Sequence, residues 1–249
     1  MSSGYLKLSR DINPSCNLPR DLESAVWRYM DWWKFESLLV ESALYLCRAD
    51  RLQDRFEGTY SRQQLLEMNA WLNAIEHPSV ADSERQLRKR DRQRSFINSW
   101  CVGETDFDLM WKAYVRNPPG VVVRSTVGYL QKVCDNAIEL WPIDISLVQY
   151  FDRAGGQHIN YSGTPTVFFH KDIHFHLENE LRIVHWPNIT DDPPEHVWLP
   201  VSLDQLIVSV VLSPGTHECF AVKAREALDR SGLNSVPVEY SRDDRECAD

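Results

Sequence analysis

Between residues 174 and 182 every second side chain is titratable or basic: His174, His176, Glu178, Glu180 and Arg182. In an extended segment side chains alternate between two faces. A strand over Ile173–His185 therefore puts these five on one face. Ile173, Phe175, Leu177, Leu181 and Ile183, with Asn179 among them, fall on the other. Three roles fit such a row. His174, His176 and Glu180 are ligand types that suit zinc, iron, nickel or manganese. Glu178 and Glu180 form a Glu-x-Glu pair, in which one carboxylate can stabilise a developing oxocarbenium ion on a ribose while the other deprotonates an acceptor. The third role is a solvent face on which Arg182 and the histidines offset carboxylate repulsion. That is the commoner fate of an amphipathic strand, but so many titratable groups in one row weigh towards a site.

The whole chain narrows the partners. It has 249 residues, 43% hydrophobic and 25% charged, with a net charge of −9. The length fits a single domain over 21–240, between a loosely ordered lead-in (1–20) and a charged tail (241–249). The negative field disfavours nucleic acid and anionic membranes as general partners. Arg85, Arg88, Lys89, Arg90, Arg92 and Arg94 form a local basic run, but no aromatic residue interleaves it as a single-strand platform requires. No apolar run is long enough to span a membrane, and the N-terminal stretch lacks a signal-peptide core. The six cysteines include no C-x-x-C pair, which argues against a cysteine zinc site and for free thiols in the cytoplasm.

The elements that must position the row follow from periodicity and punctuation. Ala25–Met30, Ala43–Arg48, Ser95–Val102, Gly120–Ser125, Ser146–Phe151, Thr166–His170, Leu206–Leu212 and Val236–Tyr240 read as strands. Lys34–Ser42, Arg62–Ile75, Ser83–Arg94, a short helix from an Asp106 cap through Tyr114, Thr126–Asn136 and Thr216–Arg230 read as helices. On the Arg62–Ile75 helix the inward side is expected to hold Leu65, Leu66, Met68 and Leu72. Asp54–Gly58 is a turn on which Glu57 most simply caps the backbone. Trp100, Trp111 and Trp141 are expected in the core. The class is α/β (α+β), with a mixed, largely antiparallel sheet and helical insertions.

Several segments together resemble the bacterial domain-of-unknown-function family 2971: Val26-Trp-Arg-Tyr29, Leu44–Asp50, Asp54-Arg-Phe-Glu-Gly58, Asn98-Ser-Trp-Cys101, Asp108–Tyr114, Gly120–Arg124 and Glu178-Asn-Glu-Leu-Arg182. Here Gln53-Asp54-Arg55 stands where that family usually has Asn-Asp-Pro. The layout is also similar to that of ADP-ribosyltransferases, which carry Arg or His on a first strand, Ser or Tyr on a middle strand and Glu on a late one. That resemblance implies an NAD-binding enzyme in a phage-defence or toxin setting, with a small-molecule dinucleotide as partner. Arg28 and Tyr29 would hold the dinucleotide, Ser99 would brace the site, Glu180 would bind the nicotinamide ribose, and Glu178 would act on the acceptor. The His174-x-His176-x-x-x-Glu180 spacing is similar to the first motif of cupins, although Trp186 stands where that motif has glycine. A metal-binding protein and a non-catalytic interaction domain with a Trp-rich surface are the alternatives.

Overall fold

The computed structural model describes residues 17–75, 78–103, 108–138, 141–159, 166–187 and 192–241. The expected Asp106 cap and most of the lead-in and tail lie outside the described residues. The class is the expected one: helices on a mixed, largely antiparallel sheet. Strands β1 (Ala25–Asp31), β2 (Ala43–Arg48), β3 (Phe96–Val102), β4 (Gly120–Thr126), β5 (Ile143–Leu147), β8 (Glu180–His185), β9 (His196–Pro200), β10 (Ser209–Leu212) and β11 (Val238–Tyr240) form the main sheet, and β6 (Gln149–Phe151) and β7 (His170–Asp172) form a parallel pair. Among the described residues only β10–β11 and β6–β7 run parallel. No helix among the described residues is long and apolar enough to cross a membrane.

One sheet face carries the larger core. Val26, Trp100, Val123, Ile145, Leu181, Ile183 and Leu199 point to it, packed against α1 (Trp32–Glu41), α5 (Val127–Ala137), α6 (Leu203–Leu206) and α7 (Glu218–Arg230). β-Branched and aliphatic residues alternate into this layer, as the strand pattern requires. The other face is covered in patches. Helix α4 (Asp108–Tyr114) lays Met110 and Trp111 over Trp27 and Tyr29, and Phe168 and Phe169 cover Ile97 and Val184. Trp100 and Trp111 are buried and Trp141 packs against the core, as expected.

The order around β3 sets up everything that follows. β8 pairs along one edge of β3 from Phe96 to Cys101. The second edge is shared: β2 pairs Phe96 and Ile97, and β1 pairs Cys101 and Val102. Around Ser99 the two arms part, so the sheet forks. Side chains take over where the ladder stops, as buried backbone groups require. Arg28 Nη1 donates to the Ser99 carbonyl (2.8 Å) and Asn98 Nδ2 donates to the Tyr45 carbonyl (2.9 Å). The link between the two arms is α1, which ends on Ser42 in the left-handed region at φ 47°.

Several expectations need correction. Residues Ile173–Glu178 form a 3-10 helix, and only Glu180–His185 is a strand. Asp172 starts the helix by accepting from the His174 N–H (3.0 Å), and Asn179 ends it at φ 39°, a conformation Asn tolerates better than most residues. Ile173 and Leu177 are consequently exposed, while Leu181 and Ile183 are fully buried. Thr166–Phe169 is likewise 3-10 and not strand. The strand expected over Ser146–Phe151 is two pieces, β5 and β6, separated at Val148. Edge strand β9 carries no strong period-2 signal, and part of the expected Leu206–Leu212 strand is α6. In α2 (Arg62–Ala74) the buried residues are Gln64 and Leu72, with Leu66 exposed. Gln64 faces inward because its amide closes two bonds with the Ile159 backbone, at 2.8 and 2.9 Å. Helix α3 (Pro78–Arg94), which carries the basic run, begins at Pro78 and not at Ser83.

Gly58 closes the turn that carries Glu57 and sits at φ +65°. A Cβ there would also collide with the Phe168 ring. Gly58→Ala is expected to destabilise the fold by at least ~1–3 kcal/mol, the range of an overpacked core position. Urea unfolding measures this, and a loss within error of zero would contradict the placement of Phe168 against the turn.

Candidate functional site

Three carboxylates and two cations form one buried chain on the forked side of the sheet. Arg182 projects from β8 and is fully buried. All five of its N–H donors, the complete guanidinium set, are engaged. Nε donates to Glu180 Oε2 (2.7 Å). Nη2 donates to Glu180 Oε1 (3.1 Å) and Glu57 Oε2 (3.2 Å). Nη1 donates to the Phe168 carbonyl (2.7 Å) and to Glu57 Oε1. Lys171, on β7, then bridges Glu180 Oε1 (2.8 Å) and Glu178 Oε2 (2.6 Å). The order is Glu57–Arg182–Glu180–Lys171–Glu178. Glu57 does not cap its turn, as sequence reasoning expects. Asp54 does, accepting from the Phe56 N–H (2.8 Å), which frees Glu57 to turn inward.

Local structure explains how Glu178 and Glu180 meet. On a continuous strand they would stand two pleats apart. The left-handed Asn179 between them folds the 3-10 helix back onto the start of β8. Asn179 is fixed by its own Nδ2 donating to the Val102 carbonyl (2.8 Å), and the Tyr150 hydroxyl accepts from the Glu180 N–H (2.9 Å). The two carboxyls then compete for Lys171.

The charges make the two glutamates unlike. Burial alone would raise the Glu180 carboxyl, but Arg182 and Lys171 outweigh it and hold the group well below the usual carboxylate range. Glu180 is therefore held as an anion by its two cations, with a side chain only 3% exposed. Glu178 moves the other way, raised by burial and by its hydrogen bond to, and the charge of, Glu180. Burial also raises Glu57, against the pull of Arg182. Three anions against two cations leave one surplus negative charge in a low-dielectric site. A single proton removes it. Glu178 takes that proton more readily than Glu57, because Glu57 is locked bidentate on Arg182 while Glu178 has one ammonium contact and a side chain 16% exposed. Two carboxyls whose environments push them apart are the usual signature of an acid–base pair.

Neighbouring groups are neutral. Burial, then Glu180 and Glu178, push the Cys101 thiol up to about 12, so it is no thiolate nucleophile. Tyr114, on α4, is hydrogen-bonded to Glu178 and raised by burial and both glutamates. Tyr150 is raised by burial and by Glu180.

Each residue singled out in the sequence now has a place. Ser99 stands opposite Arg182 in the β3–β8 register, and Cys101 stands opposite Glu180. Arg28 occupies the fork, and its charge is felt at Cys101, Cys47 and Tyr114. Burial lowers it to about 10, so it stays a cation. Lys34 on α1 and Arg116 lie within electrostatic reach of one another, and Lys34 also feels Arg28 and Asp31. Ser99, Glu178 and Glu180 border one region with Cys101 and Tyr114, whereas Arg28 alternates with Val26 and Met30 onto the larger-core face and reaches the fork from that side, its guanidinium 6.0 Å from the centre of the Trp100 ring. Tyr29 turns elsewhere, packed edge-on to Trp111 with ring centroids 5.0 Å apart and buried. The histidines do not join. His174 is tied to Asp172 with its side chain 83% exposed, and His176 Nδ1 lies 2.9 Å from the Ile173 carbonyl of its own turn. Since residues 173–178 are not a strand, His174, His176 and Glu180 share no face. Among the described residues no three His, Cys, Asp or Glu side chains gather as a metal site needs. Lys171 and Tyr150 carry no signal in the sequence, and Tyr114 only the end of the Met-Trp-x-x-Tyr helix. Comparison with protein-family models, curated proteins and solved structures gives no match.

Two outcomes are expected. Arg182→Met leaves buried Glu57 without its cation and Glu180 with Lys171 alone, and costs about 3–5 kcal/mol in denaturant unfolding. Adding Glu57→Gln and Glu180→Gln to it recovers most of the loss. The second concerns pH. A carboxyl raised in the folded state binds its proton more tightly folded than unfolded, so its contribution to stability is fully present below the unfolded pKa and is lost as pH rises through the folded one. Glu178→Gln removes that loss. Thermal melts of the variant and the wild type should differ little at pH 4, and the variant should be the more stable at pH 8. A difference independent of pH would contradict the protonation assigned to Glu178.

Proposed function

We propose that this protein is an ADP-ribosyltransferase-like enzyme that binds NAD and runs its acid–base chemistry on Glu178. The observation that carries the reading is the split pair: a partly exposed carboxyl with raised proton affinity beside a carboxylate that Arg182 and Lys171 hold ionised. A base with a raised pKa accepts a proton more readily than a free glutamate. In the reaction, the bond between the ribose C1′ and the nicotinamide nitrogen breaks, and nicotinamide leaves with the electron pair. The acceptor's oxygen or nitrogen adds to C1′, and its proton passes to ionised Glu178. Glu180 is a positioning residue here. Both its oxygens are bonded to Arg182 and Lys171, so the ribose contact the family layout would give it falls to Glu178. Arg28, with Lys34 and Arg116, supplies positive charge for the diphosphate. The resemblance of the Arg28, Ser99 and Glu180 segments to the transferase layout supports the same reading, as an analogy of fold and not of chemistry.

The test is nicotinamide release and label transfer from radiolabelled NAD. Glu178→Gln should lower turnover by two or more orders of magnitude, consistent with losing general-base assistance, while far-UV circular dichroism stays unchanged. Arg28→Ala should raise KM about tenfold, the cost of one charged contact, with a smaller effect on kcat. If labelled NAD is neither bound nor turned over, the reading is wrong.

A further inference from the structure

Helix α3 carries charge that the carboxylate chain does not use. Over residues 85–94, Arg85, Arg88, Lys89, Arg90, Arg92 and Arg94 stand against one acid, Asp91. The whole chain is at −9, so solubility does not call for this cluster. Several cations elsewhere on the surface are paired: Arg51 with Glu195, Lys112 with Asp108, Arg225 with Asp229 and Arg230 with Glu226. On α3, Lys89 and Arg90 are exposed and, among the described residues, make no ion pair. Arg92 Nε is buried without a hydrogen-bond partner. By spacing, Arg85 with Lys89, Arg88 with Arg92 and Arg90 with Arg94 are like-charge i,i+4 positions, which destabilise a helix. The helix dipole offsets only Arg92 and Arg94, because its effect is confined to the last turn.

The chemistry of this surface selects its partner. Helix α3 runs into β3 through Ser95 and packs against α2 and the 3-10 turn Ala49–Arg51. At 1.5 Å per residue, positions 85–94 extend about 14 Å, room for about four phosphates at the ~3.4 Å spacing of a stacked strand. No aromatic residue interleaves the run in the sequence, but the neighbouring helix supplies one. Trp71 on α2 is 62% exposed. Five of the six basic residues are Arg, whose planar fork binds phosphate bidentately. Leu87 is the one apolar residue of the run, so α3 lacks the apolar face that an interfacial membrane helix buries. An acidic protein offers carboxylates but no regular row of ring faces for Trp71. Nucleic acid offers both anions and rings.

We propose that α3 docks the phosphate backbone of single-stranded nucleic acid, with Trp71 on α2 stacking a base beside it. Unpaired bases present ring faces to an indole, which a duplex hides. The negative remainder of the chain repels a polyanion, so contact is confined to this helix and affinity falls steeply with salt. The inference does not rest on the NAD reading, because it uses none of the residues assigned to that chemistry.

The experiment follows binding of the full-length protein to fluorescein-labelled oligothymidylate and oligouridylate by anisotropy across a salt series. Both strands should bind in the micromolar range at low salt, with log K falling against log salt at a slope of about −3, the value for about four phosphates. Lys89→Glu with Arg90→Glu should weaken binding at least about tenfold and flatten the slope. These exposed side chains have no ion-pair partner among the described residues, so the variant should melt like the wild type. Trp71→Ala should weaken binding about tenfold at an unchanged slope. Lys132→Glu with Arg230→Glu, the same charge change on α5 and α7, should leave binding within about twofold of wild type, because distant charges are screened. No binding at low salt overturns the proposal, as does an equal loss in the two charge-reversal variants. Tighter binding to a duplex, with Trp71→Ala unaffected, overturns the single-strand assignment. Competition by polyglutamate as strong as that of the oligonucleotides makes an acidic protein the partner and overturns it too. Binding to phosphatidylserine vesicles alone does the same in favour of a membrane.

Discussion

The guanidinium of Arg182 holds the site together. Its donors reach β8, the turn at Glu57 and the backbone of the 3-10 segment at Phe168, three pieces of chain that no strand ladder joins. A buried ion network of this kind is weak evidence for stability, since well-packed apolar groups of the same volume often do as well. What an apolar substitute cannot do is keep Glu180 ionised. With Glu180 fixed as an anion, Lys171 is drawn between two glutamates and the uncompensated negative charge falls on Glu178. The protonation of the one accessible carboxyl is thus set by a guanidinium that does not touch it.

The fork in the sheet is the second constraint. β3 gives one edge wholly to β8 and divides the other between β2 and β1. The unpaired stretch around Ser99 must satisfy its backbone with side chains, and Arg28 does so while remaining charged. The same divergence sets the arm of β2 and β9 apart from an arm covered by α4.

Much of the scaffold was legible in the sequence. Ala25–Met30, Ala43–Arg48 and Gly120–Ser125 alternate or run β-branched, and they are strands because those patterns fit a half-buried or buried pleat. Thr126 and the Thr216–Arg230 pattern mark real helices. The row from His174 to Arg182 was legible only in its second half. Period-2 spacing continues through Ile173–Glu178, but Asp172 and Asn179 cap that stretch as a 3-10 helix, and local capping overrides alternation. The Glu57–Arg182 pair joins residues 125 apart in sequence. Neither that pairing nor the burial of Lys171 leaves a local trace, because a buried ion is defined by its partner. Glu178 and Glu180 were legible as a pair, and their exchange of roles was not. Which of two glutamates is buried depends on the backbone reversal at Asn179.

The central claim is that one network holds Glu180 ionised and raises Glu178. Carbon-13 labelling of the glutamate side-chain carboxyls, followed by NMR from pH 3 to pH 9 with single Glu→Gln variants for assignment, observes both groups directly. The account predicts that the Glu178 carboxyl titrates above the ordinary glutamate range. It also predicts that the Glu180 signal stays that of a carboxylate at the lowest pH at which the protein remains folded. Titration of both groups together near the ordinary glutamate value would contradict it.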